Sequence, residues 1–71
     1  MGDVQRIERL NTKIQLLDMC IVQTKSERNI LNEQIRHSVG EVFLELFQDI
    51  ANLDQLIIDL RKEKQRIQNL I

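Results

Sequence analysis

The chain has 71 residues, 42% of them apolar and 30% charged, with a net charge of −1. That makes one small domain at most, too apolar for disorder and too balanced in charge to be drawn as a whole to nucleic acid or an anionic membrane. With no Pro, Trp or Tyr and only two Gly, it lacks the turn residues and aromatic runs of a β fold, so an all-α fold is expected.

No apolar run approaches the ~18 residues of a membrane span. The opening Met1-Gly2-Asp3-Val4 lacks the basic-then-apolar order of a signal peptide. A lone Cys20 has no partner for an internal disulfide, so an intracellular setting, cytoplasmic or nuclear, is expected. Cys20 itself is expected to be a buried, inert thiol.

The first element is expected over about 4–37, with Asp3 as its N-cap. Ile7, Leu10, Ile14, Leu17, Ile21, Thr24, Arg28, Leu31 and Ile35 recur in steps of three and four, the a/d rhythm of a helix packed along a seam. Two polar residues, Thr24 and Arg28, interrupt it within the most polar segment, residues 23–29. Thr24 and Glu27 have capping-box spacing, which would suit a restart. Nothing there forces a stop, so a continuous helix is expected, with Thr24 and Arg28 as register devices and Arg28 meeting Asp54 or Asp49.

The turn is expected at about 38–41. Gly40 is the only interior glycine, and Ser38 with Glu41 fits the S-x-x-E capping box of a second helix. His37 beside it reads as a solvated group or a partner for the last carbonyls of the first helix.

The second helix is expected over about 41–70. Its seam is Phe43, Leu46, Ile50, Leu53, Ile57, Leu60, Lys64, Ile67 and Ile71. Antiparallel pairing sets an a position opposite a d position, so Ile35 faces Leu46, Leu31 faces Ile50, Ile21 faces Leu60 and Ile14 faces Ile67. Each pair sums to 81, which puts the fold axis between Gly40 and Glu41. One long parallel coiled coil would instead need a one-residue slip in the heptad. An antiparallel helical hairpin, one domain over 1–71, explains glycine, cap and phase together. Lys64, on the seam near the open end, is expected to reach out to water.

A two-helix hairpin needs one apolar stripe per helix, and this chain has more. Leu16, Met19 and Ile30 lie off the seam of the first helix; Leu44, Phe47, Ala51 and Ile58 form a second face on the other. Left in water they would make a large apolar patch on a small protein. Two hairpins dimerising into a four-helix bundle would cover them; a lone hairpin with a widened seam is the plainer alternative.

Charge is sorted along the rod. Residues 1–13 and 61–71 share the open end and hold seven basic residues against three acids, a balance of +4; the rest holds three against eight, or −5. Arg61, Lys62, Lys64 and Arg66, joined by Arg6 and Arg9, are the candidate nucleic-acid contacts. Glu63 among them, the missing aromatics and the preference of cations for a helix C-terminus favour a solvated end instead.

No nucleotide-binding glycine motif, nucleophile elbow or metal-ligand cluster is present, and no cofactor is implied. The expected function is therefore oligomerisation or protein–protein interaction, without catalysis, the favoured partner being a second copy of the chain. The alternatives are a small nucleic-acid-binding regulator using the basic end, and a helical chaperone or adaptor that binds a partner helix.

Overall fold

The computed structural model describes residues 2–71 as two α-helices packed against each other in a hairpin: α1, Gly2–Ile35, and α2, Gly40–Gln68. The rod measures 59 × 15 × 11 Å between Cα extremes. α1 runs unbroken through the polar segment 23–29. Thr24 stays helical by turning its hydroxyl inward, where Oγ1 donates to the Cys20 carbonyl oxygen at 2.7 Å. That bond satisfies the hydroxyl of a side chain that is itself buried in the seam.

The turn comprises residues 36–39, two residues earlier than the pattern suggested. Two backbone bonds close it, from the His37 N–H to Gln34 O and from the Ser38 N–H to Ile35 O. Gly40 opens α2 with φ +65. This is the left-handed region, where a Cβ crowds the backbone and glycine does not.

The expected capping box does not form. Ser38 Oγ donates backwards to the Gln34 carbonyl oxygen at 2.8 Å, completing the end of α1. Val39, extended at φ −137 and ψ 159, takes the N-cap position with no side-chain bond. Asp3 is likewise inside the first turn of α1 rather than its cap, its carboxylate still at the positive end of the helix dipole.

Leu10, Ile21, Ile57 and Ile67 are the buried apolar side chains, with Thr24 beside them. In the expected register Thr24 faces Ile57, the most buried of all at 3% exposure. Three seam residues are exposed, Ile7, Phe43 and Ile71, while the remaining ones are half-buried. Phe43 would face Ser38, which has already left the helix, and α2 stops at Gln68, short of the level of Ile7. Phe43 instead stacks on Phe47, with ring centroids 6.4 Å apart.

Candidate interaction surface

Two ion pairs tie the helices together across the seam. Arg28 Nη1 donates to Asp54 Oδ1 at 3.1 Å, and Lys64 Nζ lies 2.6 Å from Asp18 Oδ1. Both residue pairs sum to 82, one residue from the expected register. Both carboxylates are about half exposed, so each pair contributes up to ~1 kcal/mol. Their larger role is to fix which residues meet. Arg28 finds the acid expected for it. Lys64 does not reach for water: Asp18, next to the seam residue Leu17, holds it.

The Asp18–Lys64 pair was readable in a signal that periodicity alone does not show. The helices repeat one pattern 36 residues apart. Leu10, Ile14, Leu17, Asp18, Ile21 and Glu27 recur as Leu46, Ile50, Leu53, Asp54, Ile57 and Glu63. Lys25 and Arg28 recur as Arg61 and Lys64 with their charge kept. Each copy therefore carries an acid and, ten residues on, a seam cation. Antiparallel packing lets each acid meet the other copy's cation, so the two ion pairs are equivalents under a local two-fold axis.

The off-seam apolar residues are all uncovered. Leu44 is 65% exposed, Phe47 60%, Met19 67% and Ile30 58%. Leu16 and Ile58 are exposed to a similar degree, and Ala51 is exposed. At roughly 100° per residue, Leu44, Phe47, Ala51 and Ile58 share one flank of α2. The same phase puts Leu16 and Ile30 on the opposite broad side of the hairpin and Met19 on the back of α1. The structure thus joins the four residues of α2 and does not join them to the three of α1. Cys20, expected to be buried, is exposed: it lies off the seam, and no third helix covers it.

The basic end is partly committed within the chain. Arg66 makes a two-pronged contact with Glu63, through Nε at 3.0 Å and through Nη2. The hydrogen bond from Arg66 holds the Glu63 carboxyl below the usual carboxylate range, and the same bond raises the guanidinium further. Lys64 is held by Asp18. Arg6, Arg9, Arg61 and Lys62 make no ion pair among the described residues. A shallow groove beside the seam gathers Lys25, Arg61 and Lys64 around Asp18, with Ile21 and Val22 beneath. Among the described residues no three His, Cys, Asp or Glu side chains are close enough to share a metal ion. Nor is any helix long and apolar enough to cross a membrane.

Compared with protein-family models, curated proteins and solved structures, the chain matches none.

Proposed function

We propose that this hairpin is a protein-interaction module that associates with itself, and that binding rather than catalysis is its role. The observation that carries the reading is the flank of α2, where Leu44 and Phe47 stand 65% and 60% exposed with Ala51 and Ile58 beside them. Covering a Leu or Phe side chain is worth ~1.5–3 kcal/mol. Several such groups per subunit are enough to offset the entropy lost when two small rods associate. A two-helix core of this size is also marginal by itself, so association would stabilise the fold as well. The nucleic-acid reading has less support, because Lys64 and Arg66 already have carboxylate partners.

Light scattering on the column-separated protein tests this. The expected result is a mass near twice the 8.4 kDa of one chain, falling towards one chain on dilution. A mass fixed at one chain over the accessible concentration range would overturn the reading.

A further inference from the structure

The two copies of the repeat act as an internal control for what the hairpin needs. Where α2 carries Leu44, Phe47 and Ala51, the equivalent positions of α1 are Glu8, Asn11 and Gln15. The seam and both ion pairs are kept between the copies. The hairpin therefore closes with polar residues at those positions, and the apolar ones on α2 serve something outside it.

Their spacing says what. Leu44, Ala51 and Ile58 are seven residues apart, two helical turns each, so they form a straight stripe with the smallest side chain in the middle. A two-fold axis between antiparallel helices pairs residues whose numbers sum to a constant. With the axis at Ala51 that sum is 102. Leu44 then opposes Ile58 of the second copy, Ala51 opposes itself, and Glu41 comes level with Arg61 and Lys62, Lys62 being on Glu41's own edge of the stripe. The axis was chosen on the apolar stripe alone, and the charges then fall into complementary places. Glu41, Arg61 and Lys62 are all exposed, and among the described residues Arg61 and Lys62 make no ion pair with a carboxylate. Turns side by side would instead bring the acidic ends of the two rods together.

We propose that two copies of the chain pack α2 against α2, antiparallel, about a two-fold axis through Ala51. Leu44 meets Ile58 on either side of the axis, and Glu41 meets Lys62, with Arg61 at the same level, at either end. Ala51 lets the helices approach to about 8–10 Å. Phe47, on the α1-facing edge of the stripe, fills the space between the four helices. This arrangement rests on the self-association proposed above and adds its face, register and direction.

Disulfide capture in a Cys20→Ala background tests it. Cysteine pairing needs Cα atoms within about 7 Å, which only a residue at the axis meets with its own copy. Ala51→Cys is expected to give a disulfide-linked dimer as the main oxidised species. Val39→Cys, twelve residues from the axis and so about 35 Å from its mate, is expected to give none within isolated dimers. Glu41→Lys should weaken the dimer several-fold, and adding Lys62→Glu should restore it. A dimer that links through Val39→Cys and not through Ala51→Cys overturns this arrangement while leaving self-association standing. A chain that stays monomeric by light scattering overturns both.

Discussion

From Lys25 to Leu56, through the turn, no side chain of the hairpin is buried, whereas Leu10, Ile21, Thr24, Ile57 and Ile67 all are, and all lie from the middle of the rod towards its open end. The seam runs with the same three-four rhythm through both halves, so the seam pattern does not separate them. What differs is the side chains flanking it. In the turn half these are Leu44, Phe47 and Ala51; in the open half the repeat puts Glu8, Asn11 and Gln15 in their place. The open half buries its seam between two helices, although Leu16, Met19, Val22 and Ile58 stay exposed beside it. The turn half leaves even its seam half-covered, and the α2 flank that begins there with Leu44 and Phe47 and runs on to Ile58 is the region expected to be completed by another chain.

The comparison breaks most visibly at Ile57. Ile57→Ala removes the most buried side chain and is expected to cost about 2–5 kcal/mol, enough to unfold a domain this small. Phe43→Ala, at a seam position 40% exposed, is expected to cost well under that at dilutions where the chain is monomeric. Urea titrations followed by circular dichroism would check both, and equal losses would mean that the halves do not differ in packing.

Next comes the uncovered flank. Phe47→Asp and Ile58→Asp are each expected to weaken association by tenfold or more, about 1.4 kcal/mol per decade, because each carries a charge into a surface meant for burial. Asn52→Asp, at an exposed position about 100° round the helix from Ala51, should change little. Sedimentation equilibrium on the three variants decides; if all assemble like the parent, the flank is not the interface.

The turn offers a smaller effect. Gly40→Ala puts a Cβ on a residue at φ +65, with a strain of about 1–2 kcal/mol. A Cβ built there meets nothing within 4 Å, so backbone strain alone should set the loss. Thermal melts of Gly40→Ala and Gly40→Asn separate the two, because asparagine tolerates the left-handed region better; equal losses would point to something other than φ.

Smallest of all are the reciprocal ion pairs. Asp18→Asn and Lys64→Met should each cost up to ~1 kcal/mol, and the double variant less than their sum. The pair Asp54→Asn and Arg28→Met should give a coupling of the same size, because the two pairs are equivalent by the repeat. A coupling in one pair and none in the other would break the local symmetry.

Helices and hairpin were legible in the residues because both follow from period, while the ion pairs lie one residue from the expected register and the turn two residues early. A three-four recurrence dictates a helix face, and Gly40 with the phase of the two seams leaves one way to fold them together. The fate of the polar seam residues was only half legible: Arg28 had an acid within view of the register, while Lys64 looked like a chain end until the 36-residue repeat placed Asp18 across from it. Capping was misread because Ser38 had two backbone partners within reach, and the conformation of the turn turned its hydroxyl to Gln34. Off the seam, the pattern already left Leu44 and Phe47 outside a lone hairpin, whereas Cys20 was expected inside and is exposed. Cys20, Leu44 and Phe47 are residue types that usually go inside, and whether they do depends on how many helices surround them. The sequence by itself determined the helical period and the hairpin, since these are set by local geometry and pairing arithmetic. Only the tertiary structure decided which apolar residues two helices could cover and which they had to leave outside, since burial depends on neighbours that no local pattern supplies.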